Sequence, residues 1–101
     1  APSIDIINML QKEGAKIKAY DPVSIPVAKT ILKNVTYCKD PYEVAKDADC
    51  LAIITEWDEF KKLDLKKIKS LMRTPVIADG RNIFDRHTVE EIGFIYRGIG
   101  Q

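Results

Sequence analysis

Features that mark specialised classes of protein are scarce in this sequence. The apolar runs are short, such as residues 51–54, whereas a helix that crosses a bilayer needs roughly 20 apolar residues. Basic residues number 16 and acidic residues 15, so the net charge is +1 and no overall field favours nucleic acid or an anionic membrane. No charged segment followed by an apolar one opens the chain as a signal would. We therefore expect a cytoplasmic protein that binds neither nucleic acid nor a membrane.

Cysteine and histidine are also rare, which leaves little for metal or nucleophilic chemistry. Cys38 and Cys50 form no Cys-x-x-Cys pair and have no histidine at ligand-like spacing. We interpret both as reduced structural thiols, with a disulfide or a reactive thiol as the alternatives. The one histidine, His87, stands at a predicted helix start without a nucleophile arranged around it, so we assign it a surface or capping role. The sequence predicts no metal site and no catalytic residue in this chain.

What the sequence does contain is an alternation between helical and strand periodicity from end to end. Hydrophobic residues make up 46% and charged residues 31% of the 101 residues, a composition typical of one globular domain. Residues 50–55 are almost wholly apolar and are the best candidate for a central strand of a parallel sheet. Helices are predicted at residues 3–13, 26–33, 41–48, 65–74 and 88–93, and strands at 16–20, 35–38, 50–55, 76–79 and 94–96.

The last two predicted helices carry specific signals at their ends. Asp64 can cap the first of them through its side chain, and Pro75 should end it. Thr88-x-x-Glu91 matches the capping box that opens many helices, and Gly93 should end that helix.

The alternation predicts an α/β fold, namely a Rossmann-like, doubly wound and mostly parallel sheet of about five strands flanked by helices. The chain starts on a helix, whereas a right-handed β-α-β unit needs a strand before that helix. We therefore expect a fragment of a larger chain whose first strand, which belongs in the middle of the sheet, is missing. An empty slot would leave backbone groups unpaired at a cost. Either the flanking strands close up on each other, or a neighbouring chain fills the slot, and we expect a homodimer.

The loops that follow the strands are the places to look for a ligand site, because ligands of open α/β sheets bind beyond the carboxyl ends of the strands. The loop after residues 76–79 contains Gly80, Arg81 and Asn82. Glycine allows close backbone approach, arginine offers a planar set of donors suited to phosphate, and asparagine can bond a hydroxyl or a base. These three are the predicted substrate-binding residues, with a surface ion pair as the alternative for Arg81.

Two further loops give weaker signals. Asp21 follows a predicted strand, as does the acidic residue that holds a ribose in dinucleotide-binding domains, but no Gly-x-Gly-x-x-Gly precedes it. We therefore expect no NAD site in this chain. Trp57 could form a stacking wall for a ligand, but we favour an indole packed under the following helix, because large aromatic side chains are mostly buried anchors.

A set of short motifs occurs in a fixed order along the whole chain. They are Ser3-Ile4-Asp5-Ile6-Ile7, Tyr20-Asp21-Pro22, Asp40-Pro41-Tyr42-Glu43, Ala48-Asp49, Thr55-Glu56-Trp57-x-x-Phe60, Asp79-Gly80-Arg81-Asn82 and Gly93-Phe94. In that order the motifs resemble the UDP-binding domain of the UDP-glucose/GDP-mannose dehydrogenases. The Thr-Glu-Trp and Asp-Gly-Arg-Asn motifs most resemble the UDP-glucose branch.

The resemblance implies a part in the NAD-dependent oxidation of the 6-hydroxyl of UDP-glucose to a carboxylate, which yields UDP-glucuronate for polysaccharide biosynthesis. Family members bind NAD in an amino-terminal Rossmann domain and carry a cysteine nucleophile in a central region. Both are expected outside this chain, and neither Cys38 nor Cys50 is assigned the nucleophile's role. The family counterpart of Arg81 reaches the nucleotide sugar. The implied partners are UDP-glucose or UDP and the remainder of the dehydrogenase chain, and we expect the fragment alone to be inactive.

Some alternatives remain open. In the family, a lysine that helps to bind UDP and an arginine that approaches NAD come just before the position of Ala1, so the resemblance implies that part of the UDP site lies outside this chain. The chain could be the same domain of a UDP-N-acetylmannosamine or GDP-mannose dehydrogenase. It could also be a stand-alone nucleotide-binding module, or an α/β interaction domain without a ligand.

Overall fold

The computed structural model describes residues 2–20, 34–54 and 58–98. The chain forms two compact units, residues 1–44 and 45–101. The helix predicted at residues 26–33 lies outside the described residues, as do Asp21 and Trp57.

The first unit contains helix α1 (Pro2–Lys12) and two strands, β1 (Ile17–Ala19) and β2 (Val35–Tyr37), in its described part. The strands pair in parallel along their whole length. Gly14 follows α1 with a φ of 90°, a left-handed conformation that glycine adopts without strain and that commonly ends a helix. Helix α2 (Pro41–Ala45) reaches the boundary between the units.

Three further helices and three strands follow in the described part of the second unit. They are β3 (Leu51–Ile53), α3 (Asp58–Lys61), α4 (Leu65–Leu71), β4 (Val76–Asp79), α5 (Arg86–Ile92) and β5 (Ile95–Gly98). The strands pair in parallel in the order β3-β4-β5. Ile53 lies opposite Asp79, which lies opposite Gly98. The three strands therefore end at the same edge of this sheet.

The core of the second unit is built on the middle strand, β4. Ile77 of β4, Tyr96 of β5, Ile68 of α4 and Val89 of α5 are all 0% exposed, and full burial of such a side chain contributes roughly 1.5–3 kcal/mol. In this ladder β4 takes the middle position, and Ala52 of β3 is exposed. The central place of residues 50–55 in a complete sheet of about five strands stays a prediction.

The predicted α/β class is confirmed, because the described strands pair in parallel and alternate with helices. The missing first strand and the homodimer stay predictions. Among the residues that the structure describes, no helix combines the length and the apolar character needed to cross a membrane.

The end of α4 differs from the prediction that Pro75 would terminate this helix. α4 ends at Leu71. The N–H groups of Arg73 and Thr74 donate to the carbonyl oxygen of Ala48 at 2.8 and 3.2 Å. These bonds hold the chain in a non-helical turn before Pro75, so proline only precedes the next strand.

The predicted start of α4 is confirmed, whereas that of α5 is wrong by three residues. The Oδ1 atom of Asp64 accepts a hydrogen bond from the Lys67 N–H at 3.1 Å, which caps α4. α5 is capped by Asp85, because its Oδ2 atom accepts both the N–H and the hydroxyl of Thr88 at 3.0 Å. Thr88 therefore lies inside the first turn and donates to the cap. Gly93 ends α5 as predicted, with a φ of 116°.

Candidate functional site

The predicted site residues lie in the loop that joins β4 to α5. Gly80, Arg81 and Asn82 directly follow Asp79, the last residue of β4. Because β3, β4 and β5 end at the same edge of their sheet, this loop occupies the place where open α/β sheets bind ligands. Residues 80–84 are called the β4–α5 loop below.

The shape of the β4–α5 loop is set by the carboxylate of Asp79, which is only 1% exposed. Its Oδ1 atom accepts the N–H of Arg81 at 3.1 Å, and its Oδ2 atom accepts the N–H of Phe84 at 2.9 Å. One carboxylate thus binds the backbone near both ends of the loop. Side chains of aspartate often hold turns in this way.

The charge on Asp79 depends on the same hydrogen bonds. Burial by itself raises the pKa of the Asp79 carboxyl, but the hydrogen bonds that it accepts, chiefly from the Phe84 N–H and the Tyr96 hydroxyl, lower the pKa overall. The group is therefore ionised near neutral pH. A buried carboxylate is costly unless donors surround it, and here the donors belong largely to the loop. The carboxylate and the loop conformation consequently stabilise each other.

Gly80 begins the loop against the end of β3. Its N–H donates to the carbonyl oxygen of Ile53 at 2.8 Å. A Cβ atom at this position would lie 2.9 Å from the same oxygen, which is too close for any side chain. The structure therefore shows a close backbone approach at Gly80 to the neighbouring strand β3, while the close approach of a ligand at this residue stays a prediction.

Arg81 and Asn82 form the exposed part of the loop. Asn82 has a φ of 54°, in the left-handed region where asparagine is favoured among residues other than glycine. The backbone N–H of Arg81 is held by Asp79, while no carboxylate of the described residues lies within ion-pair distance of its guanidinium. The loop therefore presents the Arg81 guanidinium to solvent, while the backbone of this residue is held by its hydrogen bond to Asp79.

Tyr96 of β5 completes the support of the loop. Its side chain is 0% exposed, and its hydroxyl lies 2.8 Å from Oδ2 of Asp79 and 3.2 Å from the carbonyl oxygen of Phe84. Because the hydroxyl has a single proton, it donates to the closer acceptor, which is the carboxylate of Asp79. Arg86 lies over the ring, 5.1 Å from its centroid, and its Nη1 atom donates to the Tyr96 carbonyl oxygen at 3.3 Å. The tyrosine is thus fixed at both its ring and its hydroxyl.

Asp79 and Tyr96 were not among the predicted site residues. The amino-acid sequence of β5 does not mark Tyr96, because its neighbour Ile95 is also apolar and only the structure shows that Ile95 is exposed and Tyr96 buried. A buried tyrosine hydroxyl usually has a hydrogen-bond partner, and a carboxylate at the end of the neighbouring strand is a suitable one. The spacing alone does not show which carboxylate this is.

Several helix starts in the described residues already hold a carboxylate. Helix N-termini bind phosphate through free N–H groups and the helix dipole. A phosphate at these starts would meet a side chain of like charge, so the guanidinium of Arg81 is the better placed donor. The caps are Asp40 for α2, Asp64 for α4 and Asp85 for α5, which accept the N–H groups of Glu43, Lys67 and Thr88 at 2.9, 3.1 and 3.0 Å.

Both cysteines are free thiols in the structure. Neither forms a disulfide, and Cys38 is buried while Cys50 is exposed. The pKa of Cys38 is raised, first by burial and then by nearby Glu43, and the pKa of Cys50 is raised by partial desolvation. Both are therefore protonated near neutral pH and weakly nucleophilic. His87 is exposed in the first turn of α5. In residues 2–20, 34–54 and 58–98 there is no group of three or more potential ligand side chains that could hold a metal ion.

A shallow cavity of about 450 Å³ lies in the first unit, at the amino ends of β1 and β2. Ligands of such sheets bind at the carboxyl ends of the strands, and the cavity contains none of the predicted site residues. It is therefore not part of the candidate site. Its lining residues are Gln11, Gly14, Ala15, Lys16, Ile17, Asn34 and Thr36.

Comparison with known proteins gives a family and close relatives. Residues 1–86 match the UDP-glucose/GDP-mannose dehydrogenase family, UDP binding domain. The chain is 47% identical to the UDP-glucose 6-dehydrogenase TuaD of Bacillus subtilis over 102 residues, which cover 100% of this chain and 22% of that protein. It is 42% identical to the UDP-glucose 6-dehydrogenase of Rhizobium meliloti, with 100% and 23% covered. The chain thus spans about a quarter of the length of these relatives.

A solved structure of a UDP-D-ManNAc dehydrogenase from Pyrococcus horikoshii has the same fold. It matches this chain with a TM-score of 0.60 and 24% sequence identity, over 94% of this chain and 29% of that one. This similarity supports the Rossmann-like architecture.

Proposed function

Because this chain belongs to the UDP-glucose/GDP-mannose dehydrogenase family, we propose that it is the UDP-binding domain of an NAD-dependent UDP-glucose 6-dehydrogenase. The whole enzyme oxidises UDP-glucose to UDP-glucuronate. The observation that carries the proposal is the β4–α5 loop, a turn at the carboxyl end of a parallel strand that is hydrogen-bonded to Asp79 and whose exposed residues include Arg81. The relatives at 37–47% identity are named UDP-glucose 6-dehydrogenases, which favours glucose as the sugar.

Arg81 is the residue that we assign to the diphosphate of the nucleotide. A guanidinium can donate two parallel hydrogen bonds to phosphate oxygens. Its backbone is fixed by Asp79, so little backbone entropy is lost on binding. Gly80 keeps the start of the loop free of side-chain atoms, and we assign the Asn82 amide to a hydroxyl or base of the ligand.

We propose that NAD binds outside residues 1–101, as the resemblance of the sequence motifs to the family implies. A dinucleotide pyrophosphate rests on the N-terminus of a helix that follows a glycine-rich turn. The described turn before α5 contains one glycine, Gly80, and the start of α5 holds the carboxylate of Asp85. The described turn before α5 therefore does not fit the pyrophosphate of NAD, and no step of NAD chemistry is assigned to it.

We further propose that residues 1–101 are the carboxy-terminal domain of a longer cytoplasmic dehydrogenase, active as a homodimer in nucleotide-sugar metabolism. The coverage of the relatives supports a longer chain, since they are about four times as long. A UDP-N-acetylmannosamine or GDP-mannose dehydrogenase is the alternative within the same family.

The proposal is tested with the full-length protein that carries this chain. NADH formation is followed with NAD and, in turn, UDP-glucose, UDP-N-acetylmannosamine and GDP-mannose. We expect oxidation of UDP-glucose, and no NADH above the blank from residues 1–101 alone. Oxidation of another sugar only would assign the protein to a different branch, and UDP binding without oxidation of any sugar would identify a nucleotide-binding module.

A further inference from the structure

The connection between Tyr96 and the β4–α5 loop joins two strands through their side chains. Tyr96 lies opposite Ile77 in the register of β4 and β5. Side chains alternate between the two faces of a sheet, so Ile77 and Asp79 share a face, and they stand roughly 6.6 Å apart along the strand. The long side chain of Tyr96 covers this distance and places its hydroxyl 2.8 Å from Oδ2 of Asp79.

We propose that Tyr96 is a positioning residue for the nucleotide sugar, because its hydroxyl fixes the Asp79 carboxylate, which in turn fixes the loop that presents Arg81. The proposal rests on the proposed function, in which Arg81 contacts the diphosphate. It assigns to Tyr96 no contact with substrate or cofactor. The effect passes through hydrogen bonds whose distances are all 3.1 Å or less, from Tyr96 to Asp79 and from the Arg81 and Phe84 N–H groups to the same carboxylate.

The Oδ2 atom of Asp79 is the critical link. It accepts the Tyr96 hydroxyl and the Phe84 N–H together. Without the hydroxyl, the carboxylate keeps only backbone donors from the loop that it is meant to hold, and can rotate with that loop. The Tyr96 hydroxyl, on β5, is therefore the donor to Asp79 that lies outside the loop.

Arg86 makes a second set of contacts with the tyrosine. It begins α5, immediately beyond the loop and the Asp85 cap. Its guanidinium lies over the Tyr96 ring and donates to the Tyr96 carbonyl oxygen, and it also lies 3.7 Å from the carboxylate of Glu90. The Tyr96 ring is therefore in contact with Arg86, the first residue of the helix that follows the β4–α5 loop.

The experiment compares Tyr96→Phe with Tyr37→Phe in the full-length enzyme. Phenylalanine keeps the ring of Tyr96 and removes only the hydroxyl. Tyr37 also has a buried hydroxyl, but lies on β2 in the first unit, so its replacement controls for loss of a buried hydroxyl elsewhere. For Tyr96→Phe we expect the KM for UDP-glucose to rise about three- to tenfold, the range expected for one net hydrogen bond, with kcat and the KM for NAD unchanged. Tyr37→Phe should leave all three unchanged.

A double-mutant cycle with Arg81→Ala shows whether Tyr96 acts through the arginine. In the Arg81→Ala background, Tyr96→Phe should raise the KM for UDP-glucose no further. The proposal would be overturned if the effects of the two substitutions on the KM for UDP-glucose were fully additive. It would also be overturned if Tyr96→Phe lowered kcat and raised both KM values by the same factor. If Arg81→Ala raises the KM and Tyr96→Phe does not, positioning fails while the proposed function stands. If Arg81→Ala has no effect, the assignment of Arg81 fails, and positioning with it.

Amide hydrogen exchange provides a measurement that does not depend on activity. In Tyr96→Phe the Arg81 and Phe84 amides, which donate to Asp79, should exchange about three- to tenfold faster. The Gly80 amide donates to Ile53 instead and should keep its rate. Unchanged exchange at Arg81 and Phe84 would contradict the proposal. If Tyr96→Phe does not fold, Asp79→Asn breaks the same link, and the same KM comparison decides.

Discussion

An aspartate and an arginine lie near each end of β4, and their roles in the structure are opposite. At the amino end, Arg73 and Asp49 form an ion pair at 3.3 Å with side chains 68% and 62% exposed. At the carboxyl end, Asp79 is 1% exposed and its oxygens accept backbone N–H groups and the Tyr96 hydroxyl. The Asp79 carboxylate binds backbone groups of the loop and the Tyr96 hydroxyl, and forms no ion pair with the guanidinium of Arg81. This guanidinium can therefore bind an anion.

The difference also separates two contributions to stability. An exposed ion pair contributes about 0–1 kcal/mol, because water screens the charges and two long side chains lose freedom. A buried carboxylate that satisfies several donors is different, since its removal leaves those donors desolvated and unpaired.

The largest effect is expected from removing the buried carboxylate. Asp79→Ala should lower the free energy of unfolding by about 2–4 kcal/mol, because the Arg81 and Phe84 N–H groups lose their acceptor and the Tyr96 hydroxyl loses its closer one. Asp49→Ala, at the other end of β4, should lower it by no more than about 1 kcal/mol. Urea unfolding of both variants measures the difference. Equal losses would show that burial of Asp79 confers no special stability.

The next effect concerns ligand binding by the two arginines. In the proposed full-length dehydrogenase, Arg81→Ala should raise the KM for UDP-glucose roughly ten- to a hundredfold, since a hydrogen bond to a charged group is worth about 1.5–3 kcal/mol. The KM for NAD should change far less. Arg73→Ala removes an exposed arginine of the same unit and should leave both KM values unchanged. Steady-state kinetics decides, and unchanged sugar kinetics in Arg81→Ala would return this residue to the role of a surface cation.

The amino-acid sequence predicts the local features of this comparison well. The strand at residues 76–79 is found as predicted, because a short apolar run between a proline and a glycine has few alternatives. The Asp64 cap and the Gly93 helix end are confirmed as well. Each of these depends on residues within a single turn. The assignment of Gly80, Arg81 and Asn82 to the ligand stays a prediction.

Features that depend on contacts between distant residues could not be predicted. Tyr96 and Asp79 are 17 residues apart in sequence, and only the pairing of β4 with β5 brings them together. Pro75 was expected to end α4, but Ala48 binds the chain before it. The short helix α3 (Asp58–Lys61) has too few residues to show a period. At the start of α5, both Asp85 and Thr88 are suitable N-cap residues, and the structure shows that Asp85 forms the cap.

The smallest effect is the pH dependence that Asp79 confers. The pKa of its carboxyl is lowered below the ordinary value of 3.8, because hydrogen bonds outweigh burial. The folded protein therefore binds this proton less readily than the unfolded chain does. The stabilisation is fully present above the unfolded pKa and is lost as the pH falls through the lower folded pKa.

Comparing wild type with Asp79→Asn isolates this contribution. The pKa of Asp85 is also lowered, by the N–H and hydroxyl of Thr88, but Asp85 is present in both proteins and its titration cancels in the difference. Urea unfolding should give a constant difference in stability from about pH 7 to about pH 5, which shrinks below about pH 4. A difference that stays constant at the lowest pH would mean that the Asp79 carboxylate gains nothing from its donors in the folded state. The loop would then be held by its backbone alone, and the contrast between the two ends of β4 would reduce to one of burial.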